Sequence, residues 1–115
     1  ELTTIKRRKL PVKILLIDNQ KLGMVKQWQQ LFFEERYSET DLSDNPDFVQ
    51  LASAFDIPGR TIFSSDEVEE ALTEMLAAKG PYLLHVAIDD AFNVWPLVPP
   101  GASNSDMMDE MEKQT

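Results

Sequence analysis

The 115-residue chain is long enough for one domain with a moderate core and too short for two. It has no cysteine, which excludes disulfides, thiolate metal sites and cysteine catalysis. No apolar run approaches the roughly 18 residues of a membrane span, so no membrane partner is expected. The formal net charge of −9 is uneven, with eight Lys/Arg against four Asp/Glu in residues 1–37 and three against sixteen in residues 38–115.

Residues 1–9 have helical character, with Leu2 and Ile5 to one side and Lys6-Arg7-Arg8-Lys9 at the end, where cations complement the helix macrodipole. Four cations without interleaved aromatics make a poor nucleic-acid footprint, and no nucleic-acid partner is expected. This segment reads as the second half of a helix that Pro11 stops. Residues 12–17 (VKILLI) are almost all apolar and read as a central parallel strand covered on both faces. A polar turn, Asp18-Asn19-Gln20, follows. In an open α/β sheet, ligands sit outside the carboxyl ends of the strands, where such a turn lies.

Residues 22–36 read as a helix with a wide apolar surface: Leu22, Val25 and Phe32 along one side, Met24, Trp28 and Leu31 on an adjoining one. Residues 37–45 form a polar connecting loop. Asn45 is the expected N-cap of a helix with Pro46 at its first position, running to about Phe55 and burying Phe48, Leu51, Ala52 and Phe55. After Pro58-Gly59, residues 60–63 predict a short strand. Ser64 and Glu67 have the capping-box spacing, and the helix behind them presents Val68, Leu72, Met75 and Leu76 before stopping at Gly80-Pro81. Residues 82–88 predict another buried strand. Strands alternating with helices indicate an α/β fold, a partial three-layer parallel sheet with flanking helices. Residues 91–105 hold Trp95, Leu97 and Val98 among prolines, which predicts an extended tail lying across a protein surface; residues 106–115 read as acidic and either frayed or weakly helical.

Conventional catalytic equipment is scarce, and no side chain of this chain is expected to be catalytic. His85 lies inside a strand, where a satisfied strand-face histidine is the plain reading. Asp66, Glu67, Glu69, Glu70 and Glu74 read as solvated charges on a helix. No glycine-rich phosphate loop, His-Glu-x-x-His pattern or acylation elbow is present. The turn after the first strand differs. Asn19 offers a hard, neutral oxygen suited to Mg2+, and the Lys21 backbone carbonyl two residues on is a second candidate ligand. By spacing alone, an Asp-Asn turn is also an ordinary helix entry.

The run Asp18-Asn-Gln-Lys-Leu-Gly-Met-Val-Lys-Gln-Trp28, with Phe32-Phe-Glu-Glu-Arg-Tyr-Ser38 and Asn45-Pro-Asp-Phe48, resembles the catalytic subunit of biosynthetic acetolactate synthases. The tail Trp95-Pro-Leu-Val-Pro-Pro-Gly-Ala-Ser-Asn-Ser105 is similar to that family's carboxyl terminus, in its bacterial isozyme II form. The resemblance covers essentially the whole chain. It implies a thiamine-diphosphate-binding fold, of which residues 1–90 are the carboxyl-terminal part and residues 91–115 a tail over the active-site entrance.

Position by position, the resemblance implies that Asn19 and the Lys21 carbonyl bind Mg2+. Asn19, Lys21, Leu22, Gly23 and Met24 are the implied cofactor-binding residues, with Gly23 allowing close backbone approach to the diphosphate. Asp18 stands where many relatives have asparagine, which changes the local hydrogen bonding of the turn. Met24, Val25 and Trp28 match the acceptor-pocket and inhibitor-channel positions. Gly101, Ala102, Ser103 and Asn104 match the segment over the entrance, Ser103 being the pocket candidate. The implied reaction decarboxylates pyruvate and joins its two-carbon remainder to a second pyruvate or to 2-ketobutyrate, in branched-chain amino-acid biosynthesis. The implied parent is a cytoplasmic homodimer with a small regulatory subunit and an FAD site elsewhere; this stretch, expected to be a carboxyl-terminal fragment, is expected to be inactive alone. Rival readings are another thiamine-diphosphate enzyme, such as an oxo-acid decarboxylase or oxidase, and a non-catalytic binding module.

Overall fold

A computed structural model describes residues 1–109. The chain order is α1 (Leu2–Arg8), β1 (Lys13–Asp18), α2 (Gly23–Phe32), α3 (Phe48–Ser53), β2 (Gly59–Ile62), α4 (Val68–Ala77) and β3 (Tyr82–Ala87), with single 3-10 turns at Ser65–Glu67 and Asn104–Asp106. It divides into two compact units, Glu1–Gln20 with Ser43–Asp89, and Lys21–Leu42 with the tail from Asp90. The part of the expected acidic tail helix beyond Asp109 lies outside the described residues.

The first unit is a three-layer α/β structure, as the alternation of elements predicts. Its three strands are parallel in the order β1-β3-β2, so the last strand in sequence is the middle one in space. Side chains alternate between the two faces of a strand. On one face Leu84 and Tyr82 pack with Ile62 and with Ala71 and Met75 of α4. On the other, Leu83 packs with Ile5 of α1, Ala52 of α3 and Ile57. Each fully buried Ile or Leu contributes about 1.5–3 kcal/mol.

Several boundaries differ from the expectations. Among the described residues the first strand stands at the edge of the sheet rather than in its middle: it pairs with β3 alone, and Leu15 and Ile17 are 51% and 60% exposed. The helix after the loop starts later, because Asp47 rather than Asn45 caps it, its Oδ1 accepting from the Gln50 N–H at 2.9 Å. Leu51, expected inside, is exposed, and so are Val68 and Leu76; Ala71 and Met75 are the residues of α4 that reach the core. The capping box forms as its spacing predicts: Ser64 and Glu67 cap each other's backbone at the 3-10 turn leading into α4. The α4 carboxylates are not all loose solvated charges. Glu67, Glu70 and Glu74 converge on Arg60 of β2, at 3.5, 3.7 and 3.2 Å.

In the second unit α2 ends at Phe32, four residues before the expected Arg36, because Glu34 and Glu35 turn into the left-handed region with φ of 54° and 57°. The loop beyond returns to the start of the helix: Lys21 and Asp41 form an antiparallel bridge, and the Leu22 N–H donates to the Thr40 carbonyl at 2.9 Å. Two glutamines of α2 then act as backbone clamps. Gln29 exchanges two hydrogen bonds with Ser38, and Gln27 does the same with Val94 of the tail. With Pro96, Pro99 and Pro100 lacking N–H donors, the described part of the tail has no helix or strand beyond its 3-10 turn. Its buried Leu97 is held by a bridge to Met108, and the Trp95–Pro96 peptide is cis. Among the described residues no helix is long and apolar enough to cross a membrane.

Candidate functional site

The turn at the end of β1 belongs to the first unit. Asp18 Oδ1 accepts from the Gln20 N–H at 2.8 Å, an Asx turn that supports Gln20 at a φ of 54°. The other carboxylate oxygen, Oδ2, lies 3.1 Å from Nε2 of His85. Asn19 is half-buried between these two anchored neighbours. Asp18 thus ties the turn to a histidine 67 residues away. His85 is satisfied, as the strand-face reading expected, but it does have an acidic partner that local sequence does not reveal.

The remaining candidates lie in the second unit. Lys21 does not offer its ammonium to an anion: Nζ is 2.6 Å from Asp41 Oδ1 and 3.7 Å from Asp90 Oδ2. The hydrogen bond to Asp41 foremost, with the field of Asp90, raises the Lys21 pKa above its ordinary value. Lys26 completes an alternating quartet, reaching Asp90 Oδ2 at 3.0 Å and its backbone carbonyl at 2.9 Å. That hydrogen bond from Lys26, with Lys21 assisting, holds Asp90 below the usual carboxylate value. The Lys21 side chain is thus spent on structure.

Leu22 is the N-cap of α2 and has no side-chain capping bond. The first-turn amides of any helix lack intrahelical acceptors, which makes an uncapped N-terminus receptive to an anion. On the helix itself, Met24, Val25 and Trp28 are 46%, 49% and 38% exposed, whereas Gln27 is 1% exposed. A stripe that served the core would show the opposite pattern. Trp28 also meets Phe32 edge to face, with centroids 5.7 Å apart. Ser103 makes its hydrogen bonds within its own turn, to Ser105 and Asp106, next to Gly101 with a φ of 78°.

The donors available suit one side of a metal site. An amide oxygen and a backbone carbonyl are hard ligands that match Mg2+, but that ion takes about six oxygens. Among the described residues no group of three or more His, Cys, Asp or Glu is placed to hold a metal. The Asn19 amide oxygen and the Lys21 carbonyl are each of this donor type, and two such donors are fewer than Mg2+ takes.

Residues 1–86 match the model described as thiamine pyrophosphate enzyme, C-terminal TPP binding domain. The acetolactate synthase isozyme 2 large subunit of Escherichia coli (strain K12) is 67% identical over 96% of this chain and 20% of its own length. The probable acetolactate synthase large subunit of Methanocaldococcus jannaschii is 46% identical over 88% of this chain and 17% of its own length. The mitochondrial acetolactate synthase of Schizosaccharomyces pombe is 42% identical over 88% of this chain and 15% of its own length. The chain therefore spans a fifth or less of the length of these relatives.

Proposed function

Because the chain belongs to the family of thiamine pyrophosphate enzymes, as their C-terminal TPP binding domain, we propose that it works as part of an acetolactate synthase large subunit, condensing pyruvate with a second pyruvate or with 2-ketobutyrate. One structural observation carries the acceptor-pocket part of this reading. Met24, Val25 and Trp28 stand exposed on α2 while the polar Gln27 of the same helix is buried. Apolar side chains held out of the core in this way are available to line a pocket for an aliphatic 2-ketoacid.

When bound, thiamine diphosphate would supply the electron sink for decarboxylation, so the reaction does not call for a catalytic side chain from this stretch. The work left to these residues is binding and orientation. Asn19 contributes its amide oxygen and Lys21 its carbonyl to Mg2+. Leu22, Gly23 and Met24 bring the start of α2 to the diphosphate, with Gly23 leaving room for the approach. Met24, Val25 and Trp28 form an apolar wall for the acceptor, and Ser103 contributes to its entrance. FAD, a homodimeric arrangement, a small regulatory subunit and a cytoplasmic setting belong to the same proposal, supported by the resemblance of the long Asp18-to-Trp28 string and of the tail.

The test uses the complete subunit. Trp28→Leu should lower the preference for 2-ketobutyrate over pyruvate as second substrate, measured as the product ratio when the two compete. An unchanged ratio removes Trp28 from acceptor selection. The isolated chain, with two metal ligands of about six, should show no ketoacid turnover and little affinity for thiamine diphosphate. Tight Mg2+-dependent binding in calorimetry would overturn the shared-sphere reading.

A further inference from the structure

One side chain from each strand of the sheet meets on a single face of the first unit. Thr61 of β2 and Leu16 of β1 are both in register with His85 of β3, and Asp18, two residues beyond Leu16, is on that same face. Thr61 Oγ1 lies 3.2 Å from His85 Nδ1, and Asp18 Oδ2 lies 3.1 Å from His85 Nε2. Phe48 of α3 closes the side of the ring, edge to face at 5.4 Å. Both nitrogens and one edge of the imidazole are therefore held. Asp18 is held as firmly: its backbone carbonyl accepts from the Ile88 N–H at 2.9 Å, Oδ2 faces His85 and Oδ1 accepts from Gln20.

We propose that His85 is a positioning residue, acting through Asp18 to hold the Asp18-Asn19-Gln20 turn in its left-handed shape at Gln20. The chemistry sets the direction of the relay. An ionised carboxylate only accepts, so the proton of a neutral imidazole sits on Nε2 and is donated to Asp18. Nδ1 is then an acceptor, and the Thr61 hydroxyl donates to it. With Oδ2 fixed by the ring, Oδ1 is aimed at the Gln20 N–H. A non-glycine residue in the left-handed region costs roughly 1–2 kcal/mol, and this hydrogen bond offsets part of it. The consequence for a bound metal rests on the reading of Asn19 as a Mg2+ ligand; the relay itself does not.

The chain has one histidine, so its imidazole 15N resonances report on this relay alone. The parent chain should show the Nε2–H tautomer. Asp18→Asn should reverse it: the amide oxygen is needed by Gln20, the amide NH2 then faces the ring, Nε2 becomes an acceptor and the proton moves to Nδ1, with Thr61 accepting. His85→Leu, which keeps an apolar contact for Phe48, should speed hydrogen exchange at the Gln20 amide by about tenfold, the loss of one hydrogen bond's worth of protection. His85→Gln, which returns an N–H near the Nε2 position, should restore most of it. An Nδ1–H tautomer in the parent, no reversal in Asp18→Asn, or Gln20 exchange indifferent to His85→Leu would each overturn the proposal. In the complete subunit, His85→Leu should weaken Mg2+-dependent thiamine diphosphate binding by about tenfold, the same single hydrogen bond's worth. If the tautomer and exchange results hold but this affinity is unchanged, the relay stands and the metal reading of Asn19 falls.

Discussion

Gln27 holds Val94 with both ends of its amide: Nε2 donates to the Val94 carbonyl at 2.9 Å, and Oε1 accepts from the Val94 N–H at 3.0 Å. A side chain on a helix here pairs with the backbone as a neighbouring strand would. The clamp fixes where the tail leaves α2, and Gln30 adds a third bond by accepting from Asn93 at 3.0 Å.

Gln27→Leu keeps the bulk and removes both bonds, leaving the Val94 backbone groups without these partners. The second unit should lose about 2 kcal/mol. Both tryptophans, Trp28 and Trp95, lie in that unit. Their emission followed through a urea titration should show an earlier midpoint; an unmoved midpoint would remove the clamp's stabilising role.

Gly59 has no room for a side chain. A Cβ there would stand 2.3 Å from the carbonyl oxygen of Leu83 on the adjacent strand, and a backbone carbonyl in a ladder cannot step aside. Gly59→Ala should therefore destabilise the first unit by at least about 2 kcal/mol. Circular dichroism melting at 222 nm is the measurement, and a melting temperature equal to the parent's would contradict the crowding.

Tyr82 is buried in the sheet core, and its hydroxyl donates to Glu74 Oε1 at 2.7 Å. Burial first, and this hydrogen bond second, push the phenol up to about 12 from its ordinary 10.0. A group that holds its proton more tightly when folded stabilises the fold fully below its unfolded pKa. That contribution disappears as pH rises through the folded value, so stability of the first unit should decline between pH 10 and about 12. Absorbance at 295 nm should show one tyrosine titrating late. In Glu74→Gln it should titrate earlier, yet still above an exposed tyrosine, because burial is the larger cause.

The Lys26–Asp90 pair gives the second unit an acid limit of its own. Asp90 sits below its ordinary 3.8, chiefly through the hydrogen bond from Lys26. A carboxylate depressed on folding stabilises above its unfolded pKa, and the benefit is lost as pH falls through the folded value. Tryptophan emission should therefore report loosening of the tail below about pH 4. Lys26→Met should flatten that dependence; an identical acid profile in the variant would assign the loosening to other groups.

Much of the fold was legible because it rests on local chemistry. Apolar runs became strands, Ser64 and Glu67 became a capping box, and the Gly80-Pro81 stop preceded a strand. Position within the sheet was not legible. Residues 12–17 and 82–87 are both rich in apolar residues, and only pairing decides that the second is central. Helix ends turned on competition: Asn45 and Asp47 are two residues apart and both can cap, and it is Asp47 whose carboxylate reaches Gln50. Glu34 and Glu35 end α2 in left-handed conformations that their side chains do not advertise. Among the candidate site residues, the α2 stripe was readable as apolar but not as exposed. Gln27, polar on a helix, gave no sign of being buried. The His85–Asp18 contact depends on the β1–β3 register, which no local pattern carries.

The order β1-β3-β2 has a consequence for how the chain comes together. Within this chain, β1 and β2 have no ladder to one another; each pairs only with β3. Within residues 1–80 neither strand is paired with the other, and the edge that both pair with is supplied by β3. Six residues, Tyr82–Ala87, close both of these ladders. Long-range parallel pairing of this kind is slow, because loop closure is paid before any contact is gained. The same six residues carry His85, so the turn after β1 gains this support only when the β1–β3 ladder has closed.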